Sequence, residues 1–162
     1  MNPLTAVSYT HLTLPTIYPV ETYVVAVSLQ KKITERLWKK GQLNRDAVAQ
    51  DAKKLIVALG LESNVPEDTK IIGIETDGIG EGYPLSGEKL SRVISIYRAK
   101  DFSDSIIKAE KMLKHYGAGH SIGIHTKVQL RANELAMRLP TCRVIVNQAH
   151  CFATGGSFNN GM

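Results

Sequence analysis

Cysteine is scarce in this sequence, with Cys142 and Cys151 the only two among 162 residues. That is too few for a disulfide framework or a structural zinc site, so reduced thiols and no bound metal are expected. Long apolar runs are missing as well. None approaches the roughly 18–20 residues that a bilayer-spanning helix needs, and the N-terminus lacks the basic-then-apolar pattern of a secretion signal. A cytoplasmic protein with no membrane partner is therefore expected. Aromatic residues make up 6% of the chain, with one Trp, which leaves no interleaved platform on which nucleic-acid bases could stack. Acidic residues are outnumbered, 15 Asp+Glu against 20 Lys+Arg. The imbalance is local, because residues 31–60 carry eight positive and three negative charges while the rest nearly cancels. A general polyanion-binding surface is not indicated, and no nucleic-acid partner is expected.

What is present reads as one α/β domain. A chain that is 43% hydrophobic and 22% charged has a globular composition, and no internal repeat or low-complexity tract interrupts it. The first 20 residues stand apart, with no Asp, Glu, Lys or Arg, three prolines and four threonines. Their stretch Ser8 to Thr16 resembles a peptide that recurs at the ends of unrelated translated shotgun assemblies, where adapter bases have been read as coding. Residues 1–17 are accordingly expected to be a non-native leader and residues 18–162 the domain proper; a native β-like leader is the alternative.

Apolar spacing at Leu29, Ile33 and Leu37 predicts a helix over 29–40, ended by Gly41. Asn44 offers an N-cap for a second helix whose stripe runs through Val48, Ala52, Leu55, Ile56 and Leu59 to Gly60 at the position just past its end. Lys70 to Glu75 is a β-rich run. Val93 to Tyr97, Ser121 to His125 and Arg143 to Asn147 read as strands, separated by helices over 103–116 and from Thr126 to Arg138. Thr126 and Gln129 have capping-box spacing. That rhythm implies parallel strands joined by crossover helices.

Three features could carry chemistry. Gly155-Gly156-Ser157-Phe158-Asn159-Asn160-Gly161 is a small-residue loop following the last strand, where open α/β sheets place ligand contacts; it lacks the spacing of a phosphate-binding loop, and a turn near the chain end is the alternative. His120 and His125 flank a strand on opposite faces, which argues against a shared metal. His150 adjoins Cys151, but adjacent residues rarely reach nucleophile–base geometry, so Cys151 reads as a small buried thiol and Cys142 as packing. Last, Ser86 to Ser91 is a polar turn that delivers the Glu88 carboxylate just before a strand, where it could accept hydroxyl protons from a ribose or polyol. A solvated loop acid is the alternative there.

Several strings together resemble one family: Gly87-Glu88-Lys89-Leu90-Ser91, Asp101-Phe102, Gly117 through Thr126, and Arg143 through His150 to Gly161. In that order they are similar to the CoA-acylating branch of the aldehyde dehydrogenases, over about residues 20–162. The resemblance implies part of that family's catalytic domain, truncated at both ends. It implies an oxidoreductase that converts an aldehyde, sulfoacetaldehyde being the one favoured, to its acyl-CoA with NAD or NADP, as a homo-oligomer in the full-length enzyme. Glu88 falls where the family's Glu-x-Phe-Gly-Pro motif binds the nicotinamide ribose, and Leu90 takes the Phe position; Arg92 stands where the motif has Pro. Thr154, Gly155, Gly156, Ser157 and Phe158 match the segment lining the aldehyde and acyl pocket. The nucleophilic cysteine is expected upstream of Tyr18, so no catalytic residue is assigned within the chain, which by itself is expected to be inactive. A small basic α/β module that uses its helices between Lys31 and Lys54 to hold an acidic partner or nucleic acid is the rival reading.

Overall fold

The run Ile71-Ile72-Gly73-Ile74 is apolar without alternation, the pattern of a strand covered on both faces, and all four residues are buried. In the computed structural model, which describes residues 4–8 and 22–150, this run is part of β5 (Ile71–Glu75), an inner strand of a four-stranded sheet. The sheet also holds β1 (Leu4–Ser8), β2 (Thr22–Val25) and β6 (Val93–Ala99), in the order β1-β6-β5-β2. The strands β2, β5 and β6 run parallel, with Gly73 opposite both Val24 and Ile94. No helix among the described residues is long and apolar enough to cross a membrane.

The described chain divides into two compact units, with the main boundary between Arg98 and Ala99; of the N-terminal strand, Leu4 falls in the later unit and residues 5–8 in the earlier. In the first, α1 (Gln30–Leu37) buries Ile33 and Leu37, and α2 (Ala52–Leu59) buries Ala52, Leu55, Ile56 and Leu59. These spacings of three and four place the apolar side chains on one face of each helix. They close with Val25, Ile72, Ile74 and Val93 into one core.

The first two helices differ from the sequence expectation at their ends. The first helix stops at Leu37 rather than Lys40, because Trp38–Lys39 (β3) and Gln42–Leu43 (β4) form a small antiparallel hairpin. Its two turn residues are both left-handed, Lys40 at φ 52° and Gly41 at φ 75°, the combination that suits a tight two-residue hairpin. Asn44 does not cap α2. Its amide donates to the Arg36 carbonyl at 2.9 Å and accepts from the Asp46 N–H at 3.2 Å, which finishes α1 instead. Ala49 is left-handed at φ 56°, so no helix can run through it; α2 starts after Asp51, whose carboxylate accepts from the Lys54 N–H at 2.9 Å. Gly60 does occupy the left-handed end position, at φ 63°.

The second unit holds α3 (Phe102–Tyr116), β7 (Ser121–Ile124), α4 (Gln129–Arg138) and β8 (Arg143–Val146). Asp101 caps α3 by accepting from the Asp104 N–H at 2.8 Å. A hydrogen bond from Lys108 and another from the Lys100 N–H hold the Asp104 carboxyl below the usual carboxylate range. The strands β7 and β8 are parallel as expected, but they form their own two-stranded sheet and do not continue from β6. The capping box at Thr126 does not form. Val128 takes the cap position without a side-chain bond, the Thr126 hydroxyl accepts from the Val128 N–H at 3.1 Å, and Gln129 turns to Asn133.

Candidate functional site

The segment joining β5 to β6 is built as a stack of ties. The ring of Tyr83 lies so close over Gly78 that a Cβ there would sit 1.8 Å from it, and the Tyr97 hydroxyl donates to the Gly78 carbonyl at 3.1 Å. The buried hydroxyl of Ser86 donates to the Tyr83 carbonyl at 2.7 Å and accepts from the Gly80 N–H at 3.0 Å. Ser95, fully buried in β6, donates to the Leu85 carbonyl at 2.5 Å. A short tight turn over Pro84–Ser86 closes when the Gly87 N–H reaches the Pro84 carbonyl at 3.0 Å.

Glu88 emerges from this scaffold exposed to solvent. Leu90 is also exposed, at 44%, and takes a left-handed φ of 44°. Its carbonyl is held by the Ala49 N–H at 2.8 Å. Between them Lys89 turns inward and is 4% exposed, its Nζ donating to the Gly87 carbonyl at 2.9 Å. Burial pulls its pKa down to about 8. The Ser91 hydroxyl is buried with no hydrogen-bond partner among the described residues. At Arg92, where the family motif has Pro, the side chain is exposed and the carbonyl accepts from the Ile72 N–H at 2.9 Å. The turn thus ends where the sheet ladder begins, and Glu88 is a carboxylate on a tied bend, able to accept hydroxyl protons. The burial of Lys89 is not signalled by its immediate sequence, which is that of a polar turn.

In the second unit the carboxyl ends of β7 and β8 are joined by one side chain. Asn147, at φ 54°, accepts from the Thr126 N–H and donates to the Thr126 carbonyl, both at 2.8 Å. The ring of His150 lies against Gly123, where a Cβ would come within 2.7 Å of Nε2; only glycine leaves room for it. His120 and His125 are both exposed at the two ends of β7. Cys142 is exposed too, not a packing residue: it precedes β8 rather than entering it, and its Sγ lies 3.9 Å from the Ser121 hydroxyl. Cys151 and the loop residues Thr154, Gly155, Gly156, Ser157 and Phe158 lie outside the described residues. Among the described residues, no three His, Cys, Asp or Glu side chains come together to hold a metal.

No family model matches the chain. Individual proteins do. It is 37% identical over 139 residues to the sulfoacetaldehyde dehydrogenase (acylating) of Cupriavidus necator, which covers 86% of this chain and 28% of that protein. A sulfoacetaldehyde dehydrogenase of an Acholeplasma species is 35% identical over 138 residues, covering 82% and 28%. Among solved structures, an acetylating aldehyde dehydrogenase from Geobacillus thermoglucosidasius superposes with a TM-score of 0.75 at 27% identity, over 82% of this chain and 29% of that one. Over most of its length the chain is similar to one part of the acylating aldehyde dehydrogenases. It spans less than a third of the length of these relatives, and over that span it shares the mixed α/β fold of the acylating aldehyde dehydrogenases, with parallel strands and helices.

Proposed function

We propose that this chain supplies a nucleotide-sugar contact and a substrate loop to an enzyme that oxidises an aldehyde, sulfoacetaldehyde being favoured, to its acyl-CoA with NAD or NADP. The observation that carries the reading is the exposed Glu88 carboxylate on the tied bend between Gly87 and Leu90. A carboxylate held at fixed position accepts paired hydroxyl protons well, and such charge-assisted bonds are stronger than neutral ones. Glu88 would take the nicotinamide ribose, with Leu90 beside it. The bound nucleotide supplies hydride acceptance, and this chain's part is to bind and orient its sugar. Thr154 to Phe158 would contact the aldehyde and acyl groups.

On the same reading residues 1–17 are a leader foreign to the domain at 18–162, the full enzyme is a cytoplasmic homo-oligomer, and the nucleophilic cysteine belongs to a segment that aligns ahead of Tyr18. The 162-residue chain alone is then without turnover. NAD(P)H formation from sulfoacetaldehyde or acetaldehyde with CoA, above a Cys151→Ala control, would refute that. Nicotinamide mononucleotide titrated into the labelled chain is expected to shift the Glu88 amide resonance, and Glu88→Gln to weaken the response. No shift in the parent chain removes the sugar-binding role. The rival basic module is weakened by three ion pairs on its surface, Lys31 with Glu35, Lys39 with Asp46 and Lys53 with Glu67.

A further inference from the structure

Lysine is rarely buried without a carboxylate partner, yet Lys89 is 4% exposed and its one hydrogen bond given by the structure goes to a neutral carbonyl two residues back. That bond closes a small ring across the peptide of Glu88. Because Lys89 is drawn inward, its exposed neighbours Glu88 and Leu90 are directed away from the interior. The far side of the bend is fixed separately, where Leu90 adopts its left-handed conformation and its carbonyl takes the Ala49 N–H. Both flanks of the Glu88–Lys89 pair are therefore anchored, one by a side chain that is costly to bury. A methionine would fill similar space at no cost in desolvated charge, so packing alone does not explain a lysine here. A buried ionisable group beside an exposed one of opposite charge is a candidate for a functional role.

We propose that Lys89 is a positioning residue for Glu88: threaded inward and anchored on the Gly87 carbonyl, it sets the bend that presents the neighbouring carboxylate to a vicinal diol such as a ribose. The proposal rests on the sugar-binding reading of Glu88 and deepens it. It also makes Lys89 a residue that serves its neighbour at the expense of the fold.

The experiment compares the parent chain with Lys89→Met and Lys89→Gln, the glutamine keeping an uncharged donor one bond shorter, within reach of the Gly87 carbonyl two residues back. Lys89→Met is expected to raise the melting temperature at pH 7, which a merely structural role would lower. Backbone order parameters at residues 87–90 are expected to fall from about 0.85 in the parent towards about 0.6 in Lys89→Met, and to recover in Lys89→Gln. Binding of nicotinamide mononucleotide should weaken several-fold in the methionine chain and recover in the glutamine chain. A lower melting temperature for Lys89→Met, unchanged order at residues 87–90, or no recovery in Lys89→Gln overturns the proposal. Absence of nucleotide binding by the parent overturns the Glu88 reading instead, while melting and order parameters still decide whether Lys89 holds the bend.

Discussion

In the unit ending at Arg98, Ile33, Leu55, Leu59, Leu61, Ile72 and Ile74 are all at 0% exposure, whereas among the described residues of the unit beginning at Ala99 the buried cluster is Ile106, Leu135 and Leu139, with Ala132, Ile145 and Ala149 buried outside it. Around that cluster, Ile122, Ile124 and Val144 of the parallel strands are only half-buried, and Leu130 and Met137 of α4 are exposed at 75% and 87%. Parallel strands ordinarily need both faces covered. The first unit meets that requirement with its own helices, and the described residues of the second meet it partly. Local opening should therefore start in the second unit, so amides of β7 and β8 should exchange faster than those of β5 and β6.

Core truncation tests the contrast most strongly. Leu55→Ala removes a side chain with no exposed surface, and is expected to cost about 4 kcal/mol, near the upper part of the range for buried leucines. Leu139→Ala, in the looser core, is expected to cost about 2 kcal/mol. Urea unfolding with exchange resolved by unit measures both, and equal losses would break the comparison.

The same contrast widens if the first unit is relieved of its buried charge. Lys89 has a folded pKa of about 8 against an ordinary 10.5, so folding disfavours its protonated form. The penalty is complete below pH 8 and disappears as pH rises towards 10.5, because there the unfolded chain binds the extra proton; stability rises with pH across that window. The shift corresponds to about 3 kcal/mol. Lys89→Met should gain up to that amount at pH 7 and flatten the rise between pH 8 and 10.5. A methionine chain with the parental slope would mean that another group sets it.

A smaller effect separates the helices by their starts. Asp51 caps α2 through the Lys54 N–H, and Asp51→Ala is expected to cost about 1 kcal/mol in urea unfolding. Asn44→Ala should leave the start of α2 unchanged, since Asn44 binds the Arg36 carbonyl and the Asp46 N–H instead.

That pair of positions also marks how far the sequence could be read. The stripe of α2, the unbroken apolar run of β5, the stop of α3 at Gly117 and the parallel pairing of β7 with β8 follow from periodicity and punctuation, both local properties. The exposed Glu88 turn was legible for the same reason, as a polar stretch just before a strand. What escaped depends on residues distant in the chain or on conformations that residue type does not signal. Lys40 and Ala49 are left-handed without being glycine, so the hairpin after α1 and the late start of α2 left no mark. Lys89 is buried, whereas a lone lysine in a polar turn carries no sign of burial. Alternation of strands and helices predicts parallel pairing but does not say which strands share a sheet, so the separate pairing of β7 with β8 was not legible. The glycine loop through Thr154 to Phe158 lies outside the described residues, and its role stands on the resemblance.

The weaker unit also contains the smallest lever. The fourth helix begins at Val128, which has suitable extended backbone, φ −106° and ψ 100°, and no capping side chain. The expected box at Thr126 fails because its hydroxyl is used one step early, on the Val128 N–H, while Asn147, just past β8, bonds the Thr126 N–H and carbonyl. Val128→Ser would place an acceptor at the cap itself, within reach of the Arg131 N–H that now bonds the Val128 carbonyl at 3.0 Å. The gain should be about 0.5 kcal/mol, at the low end for a cap because a solvent-exposed cap bond replaces one to water; with Val128 already 45% exposed, little packing is lost against it. Slower exchange confined to the first turn of α4, with β5 and β6 untouched, is the expected readout. Slowing that spreads across both units would show that they open together, and the difference between their cores would then have no consequence for their separate stability.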